Sequence, residues 1–108
     1  MKLIAIFTTA GNPVEARLIA RTVVERRLAA CAQITEIESV YRWNGAVQND
    51  KEWRILFKTT DAQYEHVQDV IRELHSYELP AIWAMPIEQA YGPYAEWVAA
   101  ESSATQGI

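Results

Sequence analysis

The pair Asn44-Gly45 constrains this chain more than any other feature. A two-residue type I′ turn needs positive φ at both central positions, and Asn-Gly meets that need at the least steric cost. Residues that suit strands run outward from it on both sides. With a two-residue loop, Trp43 faces Ala46 and Tyr41 faces Gln48. Each arm then extends to about 14 residues, against a usual strand length of about 5–6. On the returning arm Trp53, Ile55 and Phe57 share one face, while Glu52, Arg54 and Lys58 share the other, with Leu56 as the exception. The outgoing arm, Ala29 to Trp43, is less regular. Ala30, Ala32 and Ile34 put apolar side chains on even positions, whereas Ile37, Tyr41 and Trp43 put them on odd ones. That change of phase predicts a bulge or a break near Thr35-Glu36.

Upstream, Lys2 to Thr9 is apolar on both faces and stops at Gly11-Asn12-Pro13, the pattern of an interior strand. Asn12 is a favourable N-cap, Pro13 suits the first helical position, and Glu15 is placed to reach back to the cap. Ala16, Ile19, Ala20, Val23, Val24 and Leu28 follow at helical spacing. Arg26 and Arg27 are expected in the last turn, where they complement the helix dipole. Downstream, Thr60 and Gln63 form a second capping box before a helix whose buried stripe is Tyr64, Val67, Val70, Ile71 and Leu74. Ala81 to Ile87 reads as another strand, and Pro86 inside it points to an edge. Gly92-Pro93 opens a short last helix with Tyr94, Trp97 and Val98. The order β-α-β-β-α-β plus a C-terminal helix predicts an α+β fold, a ferredoxin-like sandwich with an extended hairpin. One domain over residues 1–103 is expected, with 104–108 as a flexible tail.

Composition excludes several classes. Half of the 108 residues are hydrophobic and 22% are charged, which supports one modest core and excludes disorder. No apolar run approaches the ~18 residues of a membrane span. The short apolar N-terminal run lacks the length of a secretory h-region, and the single Cys31 fits a reducing compartment, so a cytoplasmic location without membrane contact is expected. A net charge of −4 disfavours a nucleic-acid binder driven by phosphate contacts.

Candidate chemistry is sparse. His66 and His75 lie at opposite ends of one predicted helix and cannot share an ion within a protomer. His75 ends that helix, where it reads either as a helix-terminating cation or as a pocket residue. Cys31 reads as a small buried hydrophobe or as a thiol without an orienting partner. No Cys-x-x-Cys, paired-histidine or calcium-loop spacing is present. Tyr41, Trp43 and Trp53 on so long a hairpin suggest a surface that another subunit covers.

Several segments together resemble the CutA family, named for divalent cation tolerance in bacteria. They are Glu25-Arg26-Arg27-Leu28-Ala29-Ala30-Cys31-Ala32, Ile37-Glu38-Ser39-Val40-Tyr41-Arg42-Trp43-Asn44-Gly45, Leu56-Phe57-Lys58-Thr59, Leu74-His75-Ser76-Tyr77-Glu78-Leu79-Pro80 and Met85-Pro86-Ile87. The resemblance implies a tight homotrimer whose long hairpins pair strands between subunits, and binding of copper or another divalent cation. It places Cys31, Tyr41, Trp43, Lys58, Tyr77 and Glu78 around clefts between subunits, with Lys58 selecting a small anionic ligand and His75 as the metal position. Two family features differ here. Thr8 stands where copper-linked members carry a cysteine, and Leu74-His75 stands in place of a His-His pair, with Ser76 replacing a proline. One imidazole and no thiolate at those positions imply copper(II) or zinc binding no tighter than about micromolar.

The first functional reading is therefore a non-enzymatic trimer that responds to divalent cations. The alternative is a PII-like module signalling through a small ligand. An acylphosphatase-type enzyme would need an arginine near Thr9-Ala10-Gly11-Asn12, which has none. An RNA binder stacking bases on Trp53 and Phe57 would need a face that the pattern directs into the core.

Overall fold

The computed structural model describes residues 2–104. Strand β1 (Leu3–Ala10) lies between β3 (Ala46–Thr60) and β4 (Ile82–Ile87), and β2 (Cys31–Trp43) flanks β3, so the antiparallel sheet runs β2-β3-β1-β4. The interior place of β1 and the edge place of β4, with Pro86 opposite Ile4, agree with the sequence pattern. Helices α1 (Pro13–Glu25) and α2 (Tyr64–Leu74) cover one face. There Ile4, Ile6, Ile55 and Phe57 from the sheet meet Ala16, Ile19 and Val23 of α1 and Val67 and Ile71 of α2. Helix α3 (Gly92–Glu101) crosses to the opposite face, where Val98 packs on Leu3 and Ala30 and covers only one end of the sheet.

The Asn44-Gly45 turn forms as expected, with φ of 51° and 78°. Trp43 faces Ala46, Tyr41 faces Gln48, and the two arms are 13 and 15 residues long. The expected bulge is absent: the register runs unbroken from Cys31↔Lys58 to Trp43↔Ala46. The phase change has another cause. Near Ala32 the helix-side face is the one that is packed, whereas Ile37, Tyr41 and Trp43 lie on the opposite face, beyond the helices. Each stretch is apolar on the face that needs cover at its own height along the strand.

Three local expectations are corrected. Arg26 and Arg27 fall beyond α1, which closes with Arg27 N–H on the Val24 carbonyl and Leu28 N–H on the Val23 carbonyl. This is a Schellman arrangement in which Arg27 holds the left-handed position, φ 61°, that glycine usually takes. Its guanidinium donates to the Ala100 carbonyl (3.0 Å) and Ser103 Oγ (2.9 Å), binding the end of α3. Second, Thr60 makes no side-chain cap, because Asp61–Gln63 forms a 3₁₀ turn before α2. Gln63 instead donates to the carbonyls of Ser102 and Ala104. Third, Ala104, assigned to the tail, is docked: its N–H meets the Arg27 carbonyl and its side chain packs on the core. The rest of that tail lies outside the described residues.

Candidate functional site

The face opposite α1 and α2 carries the candidate residues. At its α3 end Cys31 sits directly across from Lys58. The Lys58 ammonium donates to Gln33 Oε1 at 3.3 Å and lies 5.5 Å from the Tyr94 ring centroid, a cation–π approach. Tyr94 Oη is 3.9 Å from Cys31 Sγ. Lys58 has no carboxylate at ion-pair distance among the described residues. Strand pairing sets this geometry, because Cys31, Lys58 and Ala5 are register neighbours on one face.

A second group lies at the other end of β3. Tyr41 donates to Asp50 Oδ2 (2.5 Å) and Tyr77 donates to Glu52 Oε2 (2.8 Å). Glu52, placed by the alternation on a solvated face, is 8% exposed because Tyr77 folds over it. Gly11 permits this: a Cβ there would stand 2.9 Å from Tyr77 Oη. Burial, and next the hydrogen bond to Glu52, hold the Tyr77 phenol well above its usual range. Tyr41 is raised too, first by its bond to Asp50, then by burial and the nearby carboxylates.

His75 is placed differently from the other candidates. Its side chain is 0% exposed. Nε2 donates to the Thr9 carbonyl at 2.5 Å, and Nδ1 accepts the Tyr77 backbone N–H at 3.1 Å. A neutral imidazole has one donor and one lone pair, so both are engaged within the chain. Glu15 reaches this site rather than its helix cap; the Asn12 side chain alone accepts the Glu15 N–H (2.8 Å). Thr8, at the position matched to the family's cysteine, is 1% exposed on the helix-covered side. A metal ligand at that position would be buried in the core.

The candidates thus separate. Cys31 and Lys58 share one end of the open face, and Tyr41 and Tyr77 share the other. From Lys58 to Glu52 along β3 is about 20 Å at ~3.3 Å per residue. Trp43 stands at the hairpin tip, 39% exposed, and Glu78 is exposed on the segment between α2 and β4. Among the described residues no three His, Cys, Asp or Glu side chains converge to hold a metal ion. Sequence reasoning missed Gln33, Tyr94, Asp50, Glu52, Glu15 and Gly11. Alternation along β3 offered a signal only for Asp50 and Glu52, which share the face of Lys58.

The family described as CutA1 divalent ion tolerance protein matches residues 4–101. The chain belongs to this family. Among CutA proteins, the divalent-cation tolerance protein CutA of Thermotoga maritima is 38% identical over 96 residues, covering 89% of this chain and 95% of that one. The human protein CutA is 41% identical over 95 residues, 87% of this chain and 53% of that one. This chain therefore spans about half the length of the human relative. The solved structure of the periplasmic divalent cation tolerance protein CutA from Archaeoglobus fulgidus superposes with a TM-score of 0.91 at 32% identity, over 94% of this chain and 99% of that one. For the divalent cation tolerance protein of Thermus thermophilus the values are 0.90, 34%, 94% and 99%. The α+β CutA1 fold and the divalent-cation tolerance family are both those expected from the sequence motifs. No helix of the described residues is long and apolar enough to cross a membrane.

Proposed function

We propose that this CutA1-family chain acts as a non-catalytic homotrimer, holding divalent cations or a small anion weakly at the seams between its copies. The observation that carries the reading is the half-covered sheet. Helix α3 covers one end of the open face, leaving Trp83 47% and Met85 50% exposed beside Phe7, whose ring stacks on Trp83 at 4.3 Å. Tyr41, Trp43 and Trp97 are further exposed aromatics, Tyr41 and Trp43 on the same face near the hairpin tip. A soluble chain gains by covering such a patch. The hairpin overruns its helical cover, and β2 and β4 both present free edges suited to strand pairing with another copy.

The same arrangement supports ligand sites at the seams. The two groups of candidate residues stand at opposite ends of the sheet in one chain, so a site drawing on both is completed by neighbours. Covering the open face buries Lys58, and a buried ammonium requires an anion, from a partner's carboxylate or a bound ligand. Copper or another divalent cation meets exposed oxygens and the Cys31 thiol rather than a preformed shell, which keeps affinity low.

Calorimetric titration of the full chain with copper(II) and with zinc tests this reading. Expected is binding no tighter than about micromolar, roughly −8 kcal/mol, at one stoichiometry per assembly. A nanomolar site retained by a dissociated chain would contradict it.

A further inference from the structure

Helix α3 is fastened at one end only. Of its ten residues Val98 alone is buried, resting on Leu3 and Ala30 with Ala95 beside it. Its N-terminal end has no side-chain cap, and residues 88–91, which lead into it from β4, are exposed and form neither helix nor strand. The polar contacts gather at the other end. Arg27 donates to the Ala100 carbonyl and Ser103 Oγ and pairs with Glu101 at 3.6 Å, while Gln63 donates to the Ser102 and Ala104 carbonyls. This fastening is incomplete: Gln63 Oε1 and Ser102 Oγ are buried there with no hydrogen-bond partner among the described residues. Each gives up water on docking without a replacement, a cost that undocking relieves. So few buried apolar contacts mark a segment that opens more easily than the core.

What α3 covers is the corner where Cys31 faces Lys58. Among the described residues the Lys58 ammonium meets two neutral partners, Gln33 Oε1 and the Tyr94 ring, and Tyr94 Oη lies 3.9 Å from Cys31 Sγ. The negative face of that ring stands where an anion would sit beside the ammonium. We propose that α3 is a hinged cover over the Cys31–Lys58 corner, turning on residues 88–91 and latched by Arg27 and Gln63. Closed, it caps Lys58 with Tyr94. Open, it yields the ammonium to an anion of the carboxylate or phosphate class and the thiol more fully to solvent. Such an anion favours the open form, because it reaches Lys58 only once the ring has left. The anion rests on the function proposed above, whereas the cover and its latch belong to a single chain.

The backbone at Arg27 supports its role as the latch. A side chain at φ 61° is strained, and glycine would close α1 without that strain. Arginine holds the position with a guanidinium that reaches 73 residues ahead to the end of α3. Arg27→Gly therefore separates two effects: it relieves the closure of α1 and releases α3.

Amide exchange of the full chain by NMR, with parallel labelling of Cys31 by a neutral aryl disulfide, tests this at fixed protomer concentration. The Ser102 amide, bonded to the Val98 carbonyl, reports on α3, and the Leu28 amide, bonded to the Val23 carbonyl, reports on the closure of α1. In Arg27→Gly the Ser102 protection factor should fall roughly tenfold, the size of one lost hydrogen bond to a charged group. Cys31 labelling should accelerate with it, and Leu28 protection should stay the same or rise. Arg27→Lys, which keeps the charge but lacks the fork that serves two acceptors, should show the same changes at smaller size. Unchanged Ser102 protection overturns the latch. A fall at Ser102 with unchanged Cys31 labelling is fraying of the last turn and overturns the cover. Inorganic phosphate, compared with chloride at equal ionic strength, should lower Ser102 protection in the unsubstituted chain. No phosphate effect beside the expected behaviour of Arg27→Gly refutes the anion and upholds the cover.

Discussion

Replacing Gly11 with alanine isolates the contact that holds Tyr77 over Glu52. Gly11 is outside the positive-φ region, so alanine adopts its backbone without strain. On entropy alone the change should stabilise by about 0.4–1 kcal/mol. The added Cβ, however, would stand 2.9 Å from Tyr77 Oη, 3.2 Å from Cε1 and 3.4 Å from Cζ. The phenol must withdraw from Glu52, and the 2.8 Å bond to a carboxylate that is 8% exposed is lost. Hydrogen bonds to charged groups contribute about 1.5–3 kcal/mol, and the entropic gain offsets part of that. Gly11→Ala should therefore destabilise by about 1–2 kcal/mol. Tyr77→Phe removes both the bond and the clashing oxygen, and the freed ring can yield the few tenths of an ångström that Cε1 requires. In that background Gly11→Ala should cost about zero or stabilise slightly. The coupling between the two positions is then about 1–3 kcal/mol. Urea unfolding of the four proteins at one protomer concentration measures it. Equal costs of Gly11→Ala in both backgrounds would refute the reasoning.

Other consequences are equally direct. A Cβ at Gly45 would meet no atom within 4 Å, so the cost of Gly45→Val lies in backbone strain at φ +78°. It should destabilise by about 1–2 kcal/mol or more, and an unchanged thermal midpoint would contradict the turn assignment. Thr8→Val removes a buried hydroxyl without a partner and should stabilise by about 1 kcal/mol in urea titration. The Tyr77 phenol holds its proton more tightly when folded than its ordinary value of 10.0. Its contribution is thus complete below that pH and is lost above it, so stability should fall between about pH 9 and about pH 11. Tyr77→Phe should flatten that decline, as urea midpoints at the two pH values would report.

The elements were legible wherever one local rule decided them. Asn44-Gly45 set the hairpin register, Asn12-Pro13 set the start of α1, and Pro86 marked the edge. Where several faces competed, local rules failed. The phase change in β2 looked like a bulge because a single strand was read against a single core, whereas the strand leaves one packed face and presents the other. Arg27 looked like a dipole partner, but the left-handed position was needed for closure and its guanidinium was drawn to the end of α3. Gln63 was likewise taken by the Ser102 and Ala104 carbonyls. The site residues were the least legible part. His75, Glu15 and Glu52 owe their burial to Tyr77 and to the meeting of α1 with the α2–β4 segment, contacts distant in sequence that no spacing rule encodes.

On the proposed reading, other copies of the chain cover the open face, and the ligand sites lie at their seams. Light scattering of the full chain at micromolar concentration tests it most directly. Three copies of 12.3 kDa predict a single species of about 37 kDa with closed threefold symmetry. A species at 12.3 kDa, with Trp83 and Trp97 in water, would contradict it.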